Sequence, residues 1–173
     1  FDPMKNMPSF GGGGMVLTDS KEVYDSVVSL RRHGISGKDK YGYNSLISED
    51  HANQLILLLG KFDRLQSMRA KVCKRYEKNI PEVQMICAGP GTKSSHHKLV
   101  ILSDRRDELK AYLATKGVET KIHYKKTLDS HNVGKYPNAE NICAKALSLP
   151  IYPHLKMKEV DYICDRIKEF LHV

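Results

Sequence analysis

Several features that mark particular functions are absent from this sequence of 173 residues. It contains no tryptophan, and its four cysteines form neither a CxxC pair nor a Cys/His cluster at metal-ligand spacing. This pattern argues against a zinc site or a redox dithiol, and we predict no bound metal. The longest apolar run, 55–59, is too short to cross a bilayer, and no signal peptide is recognisable. These absences predict a soluble protein of the reducing cytoplasm with no membrane partner.

The charge of the sequence is unbalanced without being concentrated in one place. Lys and Arg outnumber Asp and Glu by 28 to 20, which gives a formal net charge of +8. Such an excess attracts phosphates, nucleotides or nucleic acids non-specifically. The basic residues are scattered, however, and no aromatic-studded basic run accompanies them. A nucleic-acid binder is therefore a minor alternative, and we predict no nucleic-acid partner.

The first half of the chain is predicted to contain one strand and two helices. A short apolar run after four glycines predicts a strand over Met15–Thr18, and Asp19 or Ser20 is expected to cap a helix that ends near His33. From Ser48, apolar residues recur at spacings of three and four as far as about Lys78. This periodicity predicts one long helix that connects two parts of a larger molecule.

The second half alternates between strand and helix patterns, which is typical of a small α/β domain. We predict strands over 83–87, 98–102 and 119–123, and helices over 104–116, over the stretch from Tyr136 to the residue before Pro150, and over 157–171. Three segments result: residues 1–48, a connecting helix over 49–80, and a C-terminal domain over 81–173.

Lys5 is the first residue with possible chemistry, because a lysine amine forms Schiff bases when it is unprotonated. Met4 and Met7 flank it, and Pro3 and Pro8 stiffen the backbone on both sides. Most lysines are nevertheless solvated surface charges. The run Gly11–Gly14 allows close approach to a ligand, but it lacks the GxxxxGK[ST] spacing of a P-loop. On local chemistry alone, this segment is a stiff stretch followed by a flexible turn.

Four stretches of the chain together resemble a known family. They are "FDPMKNMPSFGGGGMVLTD", "YGYNSLISEDHANQL", "GVETKIHYKKTL" and "YPNAENICAKALSLPIYPHL". In order and separation they resemble the motifs of sugar aminotransferases of the DegT/DnrJ/StrS type, which are pyridoxal-phosphate enzymes with the aspartate aminotransferase fold. The resemblance implies an α/β fold class: the C-terminal part of the large cofactor-binding domain (1–48), then a connecting helix, then a small domain with a short sheet covered by helices. It covers all 173 residues but only the C-terminal half of a family member.

The resemblance also implies roles for individual residues. Lys5 matches the lysine that holds pyridoxal 5'-phosphate covalently and moves a proton between the substrate and the cofactor C4′. Asn44 matches an asparagine that reaches the cofactor phosphate of the other subunit in a homodimer with a shared active site. His123 and Tyr124 match a segment of the small domain that faces the substrate.

Some family features are replaced or missing in this chain. Leu46 stands where the family usually has an arginine, so one charge-assisted contact is lost, and His51 stands where glutamine is common. The family's aspartate for the pyridine nitrogen, its ring-stacking aromatic residue and a phosphate-binding serine precede the position matched by Phe1. We therefore expect this chain to be part of a longer protein, and to need the missing N-terminal half to assemble a working cofactor site.

The resemblance implies an aminotransferase that moves an amino group from glutamate or a similar donor to a nucleotide-linked keto-sugar. A relative that dehydrates sugars with the same cofactor is one alternative. Another is a non-catalytic binding or assembly subunit, which Leu46 and the uniform glycine run favour.

Overall fold

A computed structural model of the chain describes residues 1–35, 41–128 and 135–172. The chain divides into two compact units, Phe1–Phe62 (unit 1) and Asp63–Val173 (unit 2). The helices are α1 (Lys21–Leu30), α2 (Glu49–Leu59), α3 (Phe62–Asn79), α4 (Arg106–Thr115), α5 (Pro137–Lys145) and α6 (Met157–Leu171), and the strands are β1 (Leu99–Leu102) and β2 (Ala146–Leu149). The three-part division at 48/49 and 80/81 stays a prediction.

Serine side chains begin both helices of unit 1, as the sequence predicts. The Ser20 hydroxyl accepts a hydrogen bond from the backbone N–H of Val23, and the Ser48 hydroxyl accepts one from His51. The strand predicted over Met15–Thr18 was wrong, because those residues pair with no other strand among the described residues. Their apolar side chains are exposed instead.

The single long helix predicted from Ser48 was also wrong. The structure has two helices, α2 and α3, which are separated at Gly60 and Lys61. Glycine is among the poorest helix formers, since it loses the most backbone entropy on folding. Here Gly60 is the C-cap of α2, and the Lys61 N–H bonds back to the carbonyl of Leu58, three residues before it.

Unit 2 is built around the antiparallel pair of β1 and β2, in which Leu99 lies opposite Leu149 and Leu102 opposite Ala146. Two of the predicted strands are reduced to single bridges at its edges, Met85 with Ile101 and Lys121 with Ser148. The helix predicted up to Pro150 ends at Lys145, and β2 follows it. Residues 146–149 include good helix formers, but pairing with β1 and complete burial override that local preference.

Helices cover this small sheet and supply most of the core. α6 has the bounds that the sequence predicts, and its apolar stripe is buried as expected. α4 lies within the predicted helix and ends just before Gly117, whose φ of +75° is easily adopted only without a side chain. The buried core residues are Val72, Tyr76, Ile80, Leu99, Ile101, Leu109, Leu113, Val118, Leu147, Leu149, Leu155, Val160, Ile163, Cys164, Ile167 and Phe170.

Helix α3 is tied to two other parts of unit 2 by polar contacts. The Arg75 guanidinium donates two hydrogen bonds to the Asp161 carboxylate on α6, at 2.6 and 2.8 Å, and Asn79 Nδ2 donates a third at 2.6 Å. The hydroxyl of the fully buried Tyr76 donates to the carbonyl oxygen of Pro150, 3.1 Å away. Burial raises the pKa of Tyr76, so its hydroxyl stays protonated as a donor.

Unit 1 buries little apolar surface by comparison. Among its described residues, Leu55 is the only buried large apolar side chain, while Ser9 and Ser29 are buried polar residues. Its exposed apolar side chains include Met4, Phe10, Met15, Val16, Leu17, Ile35, Tyr41, Tyr43, Ile56, Leu57 and Leu59. Over the described part of the chain, none of the helices has the length and hydrophobicity needed to span a membrane.

We expect the Tyr76 hydroxyl to contribute measurably to stability. Tyr76→Phe should lower the free energy of unfolding by about 1 kcal/mol, because the Pro150 carbonyl loses its buried donor. Tyr76→Ala should cost about 3–5 kcal/mol, since it also leaves a cavity. Urea unfolding followed by circular dichroism measures both. Tyr162→Phe is the control, since the hydroxyl of this exposed side chain donates to the backbone carbonyl oxygen of Lys116. Equal losses in the two Phe variants would contradict this account.

The contacts of Asp161 predict that the stability of the fold depends on pH. The hydrogen bond from Arg75 is the main cause that lowers the Asp161 pKa, assisted by Asn79. A lowered folded-state pKa stabilises the fold above the ordinary Asp value of about 3.9, and this contribution disappears as the pH falls through the folded value. Asp161→Asn should therefore destabilise the chain at neutral pH, and the difference from wild type should shrink below about pH 4. Urea unfolding across this pH range tests it, with the exposed Asp165→Asn on the same helix as control. A difference that does not change with pH is the opposing result.

Candidate functional site

Lys5 lies on a tight turn at the start of unit 1. The Lys5 backbone N–H donates to the carbonyl oxygen of Asp2 at 3.0 Å, and the Met4 N–H donates to the Asp2 carboxylate at 2.8 Å. These bonds fold the chain back on itself at the residue before the lysine. The Lys5 side chain is exposed. The amine is thus presented by a constrained backbone and is accessible to a ligand.

Ser9 holds the segment after the lysine in place. Its side chain is 1% exposed, and its Oγ lies 2.6 Å from the carbonyl oxygen of Gly12 and 3.1 Å from that of Phe1. Its backbone N–H also donates to Phe1 O at 3.1 Å. A buried serine with satisfied hydrogen-bonding groups is typical of a structural clamp. This clamp closes residues 1–12 into a loop around Lys5. No sequence pattern predicted it.

The glycine run serves two different purposes along its length. A Cβ atom on Gly11 would lie 2.4 Å from the His51 ring, and one on Gly13 would lie 2.9 Å from Ile47. A Cβ atom on Gly12 or Gly14 would meet nothing within 4 Å. Gly12 also has a φ of +88°, which favours glycine. Two glycines therefore permit close packing on the start of α2, and the others leave open space.

His51, a departure from the family pattern, takes part in this packing. Its ring lies 6.4 Å from the ring of Phe10, centre to centre, and against Gly11. Gln54, one helical turn later on α2, accepts a hydrogen bond from the Phe10 N–H at 3.0 Å. The first turns of α2 thus hold the last part of the lysine loop, residues 1–12, in place.

Asn44 lies on a short extended segment paired with the end of α1. It forms an isolated bridge with Arg32, and the neighbouring Tyr43 N–H and Ser45 N–H donate to the carbonyls of Leu30 and Arg31. Its side chain is exposed and accessible. Leu46, two residues later, is 51% exposed. An apolar side chain therefore stands in solvent where the family usually has an arginine.

His123 is oriented by a serine that the sequence did not single out. His123 Nδ1 lies 2.9 Å from the Ser148 hydroxyl on β2, which directs Nε2 away from that strand. Partial burial, followed by the charges of Lys98 and Lys121, lowers the pKa of His123. At neutral pH the ring is therefore a neutral hydrogen-bonding group. Because residues 146–149 were expected to be helical, Ser148 could not be placed opposite His123 from sequence.

Tyr124 adjoins His123 and is 66% exposed. The two rings meet edge to face with their centres 5.7 Å apart. Lys98 Nζ lies 4.9 Å from the centre of the Tyr124 ring and 3.5 Å from its hydroxyl. This is a cation–π arrangement, in which an ammonium is attracted to the ring face. Lys98 had not been predicted as a site residue.

The predicted site residues thus fall into two groups. Unit 1 carries Lys5, with the glycine turn and the start of α2, and Asn44. Unit 2 carries His123 and Tyr124, joined by Lys98 and Ser148. Over the described ranges, no group of three or more His, Cys, Asp or Glu side chains is arranged to hold a metal ion.

Known proteins resemble this chain over nearly its whole length. A "Pleiotropic regulatory protein" of Geobacillus stearothermophilus is 32% identical over 98% of this chain and 50% of its own length. The dTDP-3-amino-3,4,6-trideoxy-alpha-D-glucose transaminase of Streptomyces venezuelae is 29% identical over 98% of this chain and 48% of its own. The chain therefore spans about half the length of the curated relatives it matches.

Solved structures agree with these sequence matches. S. venezuelae DesV, solved in complex with a ketimine intermediate, superposes with a TM-score of 0.92 at 28% identity, over 99% of this chain and 50% of DesV. A DegT DnrJ EryC1 StrS aminotransferase from Brucella abortus gives 0.89 at 28% identity, over 97% of this chain and 48% of its own. The mixed helix and small-sheet structure thus matches the aminotransferase fold. The model of the DegT/DnrJ/EryC1/StrS aminotransferase family matches residues 1–168, and the chain belongs to this family.

Proposed function

We propose that the chain is the C-terminal part of a pyridoxal-phosphate-dependent aminotransferase, which transfers an amino group from glutamate or a similar donor to a nucleotide-linked keto-sugar. The observation that carries this proposal is the exposed Lys5 on its clamped loop beside an open glycine turn. Family membership supports it. The relatives' names support the substrate class: they include a transaminase of a dTDP-sugar and an aminotransferase of a UDP-linked glucuronate.

The residues present fit the attachment of pyridoxal phosphate. Its aldehyde requires a primary amine that a small aromatic molecule can approach, and Lys5 is exposed. Next to the lysine loop, Gly12 and Gly14 leave space that a Cβ atom would occupy. When bound, the cofactor supplies an electron sink that stabilises negative charge on the substrate carbon. This fit covers only the attachment of the cofactor to Lys5. The aspartate that pairs with the ring nitrogen in the family is not matched by any residue of this chain.

Lys5 has two roles in this proposal. Its Nζ would hold the cofactor covalently between turnovers. Once the amino donor or the sugar occupies the site, Nζ would act as the general acid and base that moves the proton of the substrate carbon. The backbone bonds at Asp2 and the Ser9 clamp restrict where the amine can move. Restricting the amine increases the rate of proton transfer, because the reacting atoms stay close to their productive geometry.

Asn44 is proposed to bind the cofactor phosphate of a second copy of the chain, so that two subunits of a homodimer share each active site. Its amide has donors suited to phosphate oxygens, and its backbone is held by the end of α1. Leu46 supplies no charge to this contact. The phosphate contacts of this protein are thus proposed to rely more on neutral donors than those of relatives with arginine.

His123 and Tyr124 are proposed to face the sugar. Because the His123 pKa is lowered and Ser148 occupies Nδ1, the ring offers Nε2 as a neutral hydrogen-bonding atom. A neutral imidazole can bind a sugar hydroxyl without attracting a counter-ion. The exposed Tyr124 hydroxyl gives a second polar contact for the sugar.

Unit 1 supports the proposal that an N-terminal half completes the enzyme. Among its described residues, exposed apolar side chains such as Phe10, Leu17 and Leu57 far outnumber the one buried large apolar side chain, Leu55. Apolar surface of this extent is normally covered in a working protein. We propose that the N-terminal half covers part of it and supplies the aspartate and serine that the cofactor needs.

Selective labelling tests the role of Lys5. A protein that contains these residues together with an N-terminal half is mixed with pyridoxal phosphate and reduced with borohydride, and the modified lysine is located by peptide mass spectrometry. We expect one dominant label on Lys5, because only this amine is held beside the cofactor. Lys5→Arg should abolish that label. Lys21→Arg, an exposed lysine paired with Asp25 in the same unit, should leave it unchanged. Labelling spread evenly over the lysines would contradict the proposal.

Turnover separates the enzyme from the non-catalytic alternative, which the exposed Leu46 favours. Given glutamate and a nucleotide-linked keto-sugar, the complete protein should release 2-oxoglutarate and form the amino-sugar, both measurable by mass spectrometry. Lys5→Ala should lower kcat by at least about a hundredfold, since general acid–base catalysis contributes about 10²–10⁴-fold. A complete protein that binds the sugar nucleotide but forms no 2-oxoglutarate would identify a binding subunit instead.

A further inference from the structure

Arg69 on α3 is a half-buried cation whose contacts are backbone carbonyls. Its Nη1 donates a hydrogen bond to the carbonyl oxygen of Ile151 at 3.1 Å and a longer one to that of His96 at 3.5 Å. Within residues 1–35, 41–128 and 135–172, no carboxylate forms an ion pair with Arg69. Partial burial lowers the pKa of Arg69, but a guanidinium stays charged at neutral pH. Both bonds are therefore charge-assisted, and such bonds are stronger than those between neutral groups.

The first segment that the arginine contacts, 95–98, contains a strained residue. His96 has a φ of +47°, which residues with side chains rarely adopt. Gln66 Nε2, one helical turn before the arginine on α3, donates to the carbonyl oxygen of Ser95 at 3.1 Å. Strained backbone persists only where the surrounding structure enforces it. The two contacts from α3 therefore help to hold the turn that immediately precedes Lys98.

The second segment follows β2. Tyr76 and Arg69 donate hydrogen bonds to the successive carbonyls of 150–151, each at 3.1 Å. The two side chains are seven residues apart, so they lie on the same face of α3. The chain that leaves β2 is thus attached to α3 at two neighbouring points. Ser148, which contacts His123, lies on β2 directly before this attachment.

The same two segments support the pair of residues proposed to face the sugar. Lys98 Nζ lies 4.9 Å from the centre of the Tyr124 ring, and the Ser148 hydroxyl lies 2.9 Å from His123 Nδ1. The two rings also contact each other edge to face. A change in the spacing between the two segments would therefore change how the rings are oriented.

We propose that Arg69 is a positioning residue for the sugar: by holding the carbonyls of His96 and Ile151 with one guanidinium nitrogen, it fixes the spacing between the supports of Tyr124 and His123. This inference rests on the proposed function, which assigns that pair to the sugar. A guanidinium suits the task because its N–H donors point in fixed directions, whereas the ammonium of a lysine rotates at the end of a flexible stem.

The first test measures the His123 pKa by NMR in the complete protein, which joins these residues to an N-terminal half. Histidine is labelled with carbon-13, and the signal is assigned by its loss in His123→Asn. Arg69→Met keeps the apolar stem but removes both bonds. The charge of Lys98 helps to lower the His123 pKa, and the charge of Arg69 is not among the causes. Displacement of Lys98 should therefore raise this pKa toward the ordinary value of about 6.5.

The second test is kinetic. In Arg69→Met the KM for the nucleotide-linked keto-sugar should rise about tenfold, the equivalent of about 1.4 kcal/mol. The KM for glutamate should change much less, because the pair is assigned to the sugar. Arg69→Lys keeps the charge without the fixed donor directions, so it should change the His123 pKa and the sugar KM in the same direction by smaller amounts. Either variant with both values at wild-type level would overturn the proposal, so the test does not depend on Arg69→Met folding.

Arg106→Met is the matched control. Arg106 Nη1 also donates to a backbone carbonyl, that of Cys143 at 2.8 Å, but this carbonyl lies on α5 and supports neither ring. The control should leave the His123 pKa and the sugar KM unchanged, and changes equal to those of Arg69→Met would mean a general structural effect and would also overturn the proposal. Failure of the proposed function gives a different pattern, since the His123 titration requires no turnover and Lys5 labelling does not involve Arg69.

Discussion

The packing of α3 is the constraint on which most of unit 2 depends. One face of this helix puts Val72 and Tyr76 into the core, and an adjacent face holds Asp161 of α6 through Arg75 and Asn79. A third strip, Cys73 and Glu77, lines a cavity of about 340 Å³ between α3 and the segment that precedes β1. Because successive residues of a helix are separated by about 100°, one helix can serve all three purposes. Displacing α3 would disturb the core and the cavity together.

The two units obtain their order in different ways. Unit 2 has a continuous apolar core around two paired strands, so its site residues stand on secondary structure that is stable by burial. In unit 1 the order around Lys5 and Asn44 comes mainly from hydrogen bonds and close backbone contacts, such as those of Ser9 and of Tyr43. Hydrogen bonds contribute only modestly to the stability of the fold when water competes for the same groups. The lysine loop is thus well defined in geometry but has little apolar burial of its own.

The sequence allowed prediction of what is encoded locally. The period of apolar residues gave α6, and serine caps gave the starts of α1 and α2. The motifs in four stretches of the chain predicted the family, and the match of residues 1–168 to the family model confirmed it. β2 and the Ser148 contact with His123 could not be predicted, because each depends on residues far apart in the chain. The break at Gly60 is encoded locally by a poor helix former, but the apolar spacing on both sides of it favoured one continuous helix. Lys98 belongs with these, since only the fold puts it over Tyr124. The roles of Lys5, Asn44, His123 and Tyr124 stay predictions.

Asn44 owes its position to a residue with no side chain. A Cβ atom on Gly42 would lie 2.2 Å from the backbone nitrogen of Gly34 and 2.4 Å from the carbonyl carbon of His33. Real Cβ atoms do not approach backbone so closely, and neither partner can rotate away as a side chain could. In a library of all single substitutions, Gly42 should therefore rank among the least tolerant positions of unit 1, although it would touch neither cofactor nor sugar.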